Sequence, residues 1–172
     1  MPTIRFTRLR VSNNYLTTVG VASLAPALRR PWGAGGLQML NVCHTTLGDA
    51  GVAALAKALP PTLEQLRING TGCSDDGLVA LAAALPALTA FECMWCQDNH
   101  DATARGWVAL ARALPSLPAL EQLSIMDNEL GSEGAAALAA AIPQCPRLEE
   151  VWADGCDLDE QAKAALRAAA AR

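Results

Sequence analysis

Aromatic side chains are scarce in this chain: four Trp, two Phe and one Tyr make up 4% of 172 residues. So little bulk per residue argues against one irregular enzyme domain packed around large rings. Long apolar runs are missing too. The longest, Leu78 to Leu85, stops at Pro86, well short of the roughly 20 residues that a membrane-spanning helix needs. No charged start leads into an apolar stretch and a small-residue cleavage site, so no secretory signal is read. The sequence also has no glycine-rich phosphate loop after a strand, no serine elbow and no zincin helix, so neither catalytic residues nor a cofactor is expected. Basic residues do not form a stripe. Arg8, Arg10 and Arg67 alone fall short of what phosphate neutralisation by a nucleic-acid binder requires.

Alanine and leucine dominate instead, with 35 and 25 copies among 172 residues. Such a composition suits thin elements that approach closely and repeat. The net charge is only -4, but its layout is uneven. Residues 1 to 48 carry Arg5, Arg8, Arg10, Arg29 and Arg30 and no acid, whereas the rest holds 8 bases and 17 acids. The two ends therefore carry opposite fields, which can orient a charged partner.

A repeat is visible throughout. Phe6-x-x-Leu9-x-Val11 aligns with Leu37-x-x-Leu40-x-Val42, Leu63-x-x-Leu66-x-Ile68, Leu88-x-x-Phe91-x-Cys93, Leu120-x-x-Leu123-x-Ile125 and Leu148-x-x-Val151-x-Ala153. Asn14, Thr45, Thr71, Cys96, Asn128 and Cys156 follow three residues later, and a glycine then recurs at Gly20, Gly51, Gly77, Gly106 and Gly134. In this phase the copies start 31, 26, 25, 32 and 28 residues apart, and the fourth gains about four residues between Cys96 and Gly106. The connector from Arg29 to Gly36, with Pro31 and Trp32, lengthens the first.

Within each copy the apolar period changes from two to about four, the mark of a strand followed by a helix. Thr18, Asp49, Asp75 and Ser132 stand where N-cap oxygens belong, and Pro60, Pro86, Pro115 and Pro143 stand where a helix must stop.

These units resemble the leucine-rich repeats of the ribonuclease-inhibitor-like class, L-x-x-L-x-L-x-x-N/C-x-L followed by a G-bearing helix. The resemblance implies an α/β solenoid (horseshoe) of about six repeats, with a parallel sheet on the concave face and helices on the convex face. A single domain over 1-172 is expected, with repeats near 4-36, 37-62, 63-87, 88-119, 120-147 and 148-172. The N/C/T position is read as a ladder that satisfies backbone groups in the turn after each strand.

Several patterns suggest chemistry, and the repeat supplies a structural account of each. Cys93 and Cys96 have the spacing of a redox or zinc pair, but the register places them in the core and in the ladder, with Cys43 and Cys145 left nearest solvent. His100 between Asp98 and Asp101 could ligate a metal, yet a flexible loop without supporting partners reads as solvated, so no metal site is expected. Asp75 and Asp76 suit a helix N-terminus. Cys43 and His44, as neighbours on a strand, point to opposite faces and cannot act together.

The information lies on the strand residues that face away from the core. Arg8, Arg10, Met39, Asn41, Arg67, Glu92, Met94, Ser124, Met126, Trp152 and Asp154 fall in columns there, with Trp95 just beyond. Met and aromatic side chains on an open sheet suggest an interface. Phe6, Leu9, Val11, Leu16, Leu24 and Leu28 would leave a second uncovered surface at the first repeat. The reading is a noncatalytic protein-binding scaffold, a small subunit or adaptor of a larger assembly, with another protein as partner through the concave face and the uncapped N-terminal end, and with neither nucleic acid nor membrane insertion. The alternative is an activator of a small GTPase, acting through loop 97-105 with Arg105 or Asn99 entering the nucleotide site. Six cysteines without a secretory signal suit reduced thiols in a cytoplasmic protein, while the acid-free, Arg-bearing start leaves organellar import open.

Overall fold

The computed structural model describes residues 6–30 and 35–170. Arg5 and the connector residues Pro31 and Trp32 lie outside the described residues. The element order is β1 (Arg8–Arg10), α1 (Thr18–Leu28), β2 (Met39–Asn41), α2 (Gly48–Ala58), β3 (Gln65–Arg67), α3 (Asp75–Ala84), β4 (Cys93–Trp95), α4 (Ala104–Ala113), β5 (Gln122–Ser124), α5 (Gly131–Ala141), β6 (Glu150–Trp152) and α6 (Glu160–Ala170). The six strands form one parallel sheet in chain order. Each helix packs on the helices before and after it, on one side of that sheet.

In each three-residue strand the middle side chain points inward: Leu9, Leu40, Leu66, Met94, Leu123 or Val151. The chain then turns through a residue of positive φ at Asn13, His44, Gly70, Asp98, Asp127 or Gly155. Asn, Asp and Gly reach this left-handed region most readily. The next residue in each copy is the ladder residue. Asn14 donates to Val11 and Ser12 carbonyls, the Thr45 and Thr71 hydroxyls to Val42 and Ile68, and Asn128 to Ile125, Met126 and Cys96.

The fourth copy departs from the sequence expectation. Met94 pairs with Leu66 and Trp95 with Arg67, so this copy begins at Phe91, not Leu88. Met94 and Cys96 are the completely buried core residues, Cys93 and Trp95 face the other way, and Asn99 takes the ladder position. In this phase the starts fall 31, 26, 28, 29 and 28 residues apart, and no insertion follows Cys96. The extra length lies earlier. Helices α3, α4 and α5 tighten into 3-10 turns at Leu85–Ala87, Leu114–Ser116 and Ile142–Gln144, each with Pro second, where a missing N–H ends the α-helical ladder. Leu88, Leu117 and Cys145 are the buried residues that carry the chain from those turns back to the sheet.

Helix starts also differ from expectation. Thr18, Asp49, Asp75 and Ser132 do not cap their own helices. The N-cap positions of α1, α2 and α5 are Thr17, Leu47 and Leu130, all without side-chain cap bonds. Asp49 instead reaches across to α3, accepting from Ser74 N–H (2.7 Å), the Ser74 hydroxyl (2.6 Å) and Gly77 N–H (2.9 Å). Asp75 repeats the contact one helix on, to Thr103 N–H (2.8 Å), the Thr103 hydroxyl (2.7 Å) and Gly106 N–H (2.9 Å). This explains two of the recurring glycines. A Cβ on Gly77 or on Gly106 would lie 2.7 Å from the incoming carboxylate oxygen.

The core between sheet and helices is mostly Leu and Ala, with Trp107 of α4 as its largest member. Its Cβ lies 3.1 Å from the position a Cβ on Gly134 would take, so α5 has no side chain there to oppose the indole. At the first repeat Phe6, Leu9, Val11, Leu16 and Leu24 are half-buried; Leu28, expected to be uncovered, is buried.

Candidate functional site

The face of the sheet opposite the helices carries three columns. The first is Arg8, Met39, Gln65, Cys93, Gln122 and Glu150; the second is Arg10, Asn41, Arg67, Trp95, Ser124 and Trp152. Continuing the register past the strands, the third is Ser12, Cys43, Asn69, Gln97, Met126 and Asp154. Ten of the expected residues lie here: Arg8, Arg10, Met39, Asn41, Arg67, Trp95, Ser124, Met126, Trp152 and Asp154. Two do not. Met94 is fully buried against the helices, and Glu92 joins Gln38, Glu64, Glu121 and Glu149 along the rim at the start of the strands. Cys93 and Gln97 were missed and belong to the face.

At the centre the Arg67 guanidinium lies 4.0 Å over the Trp95 ring, a cation–π stack between β3 and β4. Beside it runs a polar chain across three strands. Asn69 donates to Gln97 Oε1 (3.2 Å), Gln97 N–H donates to Asn69 Oδ1 (3.0 Å), and Gln97 Nε2 donates to the Ser124 hydroxyl (2.6 Å). Gln122 Nε2 donates to Glu150 at 2.8 Å, fixing β5 to β6. These bonds hold long polar side chains in place, leaving Trp95, Met126 and Trp152 half-exposed on an ordered surface. Met39 is only 3% exposed and Ser124 2%, so neither offers much area to a guest.

The thiols divide between faces. Cys93 and Cys96 point to opposite sides of the sheet and cannot share a disulfide or an ion. All six cysteines are free and buried, Cys43 and Cys145 included, against the expectation that those two lie near solvent. Burial raises the pKa of Cys43, Cys73, Cys93, Cys96 and Cys156, that of Cys73 to about 12, so these thiols stay protonated and poorly nucleophilic at neutral pH. Among the described residues no three His, Cys, Asp or Glu side chains converge as metal ligands, and His100, Asp98 and Asp101 are no exception.

In loop 97-105 Asn99 is not available to a nucleotide site, whereas Arg105 stays largely exposed. Asn99 is completely buried, with Oδ1 accepting from Thr71 N–H, the Thr71 hydroxyl and Cys73 N–H and Nδ2 donating to Ile68, Cys96 and Gln97 carbonyls. Arg105 begins α4 and pairs with Asp75 at 3.2 Å and Asp76 at 2.6 Å. Burial works against the Asp75 carboxylate, but its bonds from Thr103, Gly106 and Arg105 outweigh that and hold its pKa below the ordinary aspartate value.

No helix among the described residues is long and apolar enough to cross a membrane. A family model described as "Leucine Rich repeat" matches residues 117–139. A comparison with curated proteins finds no match. Among solved structures, the leiomodin-1 actin-binding site 2 has a TM-score of 0.71 at 16% identity, covering 88% of this chain and 86% of that one. The tropomodulin C-terminal domain of Caenorhabditis elegans has a TM-score of 0.72 at 16% identity, covering 87% and 90%. At such identity these likenesses speak for the fold, and they agree with the parallel sheet and stacked helices seen in the chain itself. The chain has the fold of a leucine-rich-repeat solenoid.

Proposed function

We propose that the protein is a noncatalytic scaffold that binds another protein across the open face of its sheet. The observation that carries this reading is the half-exposed Arg67–Trp95 stack flanked by Met126 and Trp152 on a sheet covered on one side only. Parallel sheets ordinarily have both faces covered, and Trp, Met and Arg are the side chains enriched where proteins dock. The likeness to an actin-binding site of leiomodin-1 supports a protein as the class of guest.

The test is binding by single and double Trp95→Ala and Trp152→Ala variants, with Val79→Ala on the exposed surface of α3 as control. A hot-spot truncation costs about 2 kcal/mol, or roughly 30-fold in Kd. Photo-crosslinkers placed at Trp95 and at Val79 identify which face the guest covers, and monomeric actin is assayed beside the native extract. A guest captured from Val79 and untouched by both Trp changes overturns the reading.

A further inference from the structure

We propose that copies of this chain associate head to tail, β1 of one copy extending the neighbour's sheet beyond its β6. Among the described residues β1 and β6 are the sheet edges. At the β1 end Leu9, Val11 and Leu16 stay half-buried and Tyr15 is 93% exposed, whereas Leu66 and Ile68, their counterparts inside the array, are completely buried. At the β6 end an open recess of about 600 Å³ is lined by apolar Val151, Ala153 and Leu166 together with charged Glu160, Lys163 and Arg167. Each end thus exposes what an adjoining repeat would bury.

Charge selects which ends meet. The β1 edge carries Arg8 and Arg10, both exposed, and the β6 end carries Glu149, Glu150 and Asp154, all exposed. Like charge discourages each edge from pairing with itself, and opposite charge favours β6 against β1. The register inside the array then fixes the match: Glu150 beside Arg8, Val151 beside Leu9, Trp152 beside Arg10. An Arg–Trp pair between neighbouring strands in this column also occurs inside the chain, with the order reversed: Arg67 on β3 stacks on Trp95 of β4 at 4.0 Å. The backbone follows the same pattern. Val42 and His44 N–H donate forward to Arg67 and Asn69 carbonyls, so Ala153 and Gly155 N–H would donate to Arg10 and Ser12 carbonyls of the next copy.

The helices supply an independent observation. Asp49 grips Ser74-x-x-Gly77 and Asp75 grips Thr103-x-x-Gly106. α1 opens with the same receptor sequence, Thr17-x-x-Gly20, and among the described residues a Cβ on Gly20 would meet only Leu16, with no carboxylate beside it as at Gly77 and Gly106. The first helix is therefore shaped for a carboxylate from a preceding repeat. Glu160 occupies the donor position on α6, one methylene longer than Asp and now paired with Lys163 at 2.9 Å on its own helix. Such a contact joins unlike surfaces, so it propagates into rings or filaments and does not stop at a symmetric dimer.

Sedimentation velocity on the whole chain tests this without any substitution: the mean mass should rise with protein concentration and fall in high salt. A head variant, Arg8→Glu with Arg10→Glu, and a tail variant, Ala153→Glu in the recess, each should sediment as monomers with unchanged circular dichroism. Mixed in equal amounts they should form a species of twice the monomer mass and grow no further, because one intact head meets one intact tail. Unmodified chain that stays monomeric at every concentration overturns the proposal and leaves a preceding repeat or a different protein as the occupant of the Arg-bearing end. A dimer that persists in either variant alone overturns it in favour of a symmetric contact. Trp95→Ala, which tests the concave face, should leave the self-association unchanged.

Discussion

Replacing Asn99 by Ala tests both the register of the fourth repeat and the role of the ladder. The substitution leaves the carbonyls of Ile68, Cys96 and Gln97 with other donors: the Thr71 hydroxyl, Asn128 Nδ2 and Gly70 N–H. The uncompensated loss falls on the amides of Thr71 and Cys73, both in buried residues, which have Asn99 Oδ1 as acceptor at 3.2 Å. An orphaned buried donor costs about 1–3 kcal/mol, so two amount to about 4 kcal/mol. For a domain of this size each kcal/mol lowers Tm by about 2–4 °C, which predicts a drop of about 8–16 °C. Asn14 is the internal control. It is exposed and serves two carbonyls that water can reach, so Asn14→Ala should cost under about 1 kcal/mol. Urea unfolding gives the energies, and amide hydrogen exchange reads the local effect, with faster exchange at residues 71 and 73. An Asn99→Ala protein within about 1 kcal/mol of the parent, with exchange unchanged at those two amides, would refute the assignment.

Three further outcomes follow from contacts described above. Asp75→Ala should destabilise by about 2 kcal/mol, the upper range for an N-cap carboxylate; because the folded-state pKa of Asp75 is lowered, its contribution is present above the ordinary aspartate pKa of about 3.9 and disappears as pH falls through the folded value, so parent and variant melting curves should converge in acid. Trp107→Ala empties the largest buried site and should cost about 3–5 kcal/mol by denaturant titration, with benzene or xenon binding in the space as confirmation. Alkylation by iodoacetamide at neutral pH should label none of Cys73, Cys96 and Cys156 in the folded protein and all of them in urea; rapid native labelling of Cys96 would contradict its place in the core.

Strand, turn, helix and proline stop were legible because each switches a periodicity or removes a backbone donor. Five of the six copies could be phased correctly from the apolar-x-x-apolar-x-apolar spacing alone. The fourth could not, since that template begins with a three-residue step and is blind to a shift of three. Leu88 supplies a false first position ahead of Phe91, and Cys93 passes for a core residue. The signal that separates the two phases lies upstream: Leu85-Pro-x-Leu-x-x-Phe91 matches Leu114-Pro-x-Leu-x-x-Leu120 and Ile142-Pro-x-Cys-x-x-Leu148, each a 3-10 turn and return to the sheet. The same slip put Met94 on the binding face and hid Gln97. The capping aspartates were misassigned for a different reason. Their sequence position suits their own helices, and only the stacking of repeats brings Ser74 and Thr103 to them.

The carboxylate contacts between helices stop at α4, where Ala104 stands in place of Asp49 and Asp75, and Trp107 packing beside Gly134 takes over. In a linear array, stability is a sum over adjacent units, so the kind of bond at each seam decides where the array divides. The seam between α3 and α4 rests in part on the Asp75 carboxylate, whose pKa its hydrogen bonds hold below the ordinary aspartate value, so acid loosens the array there.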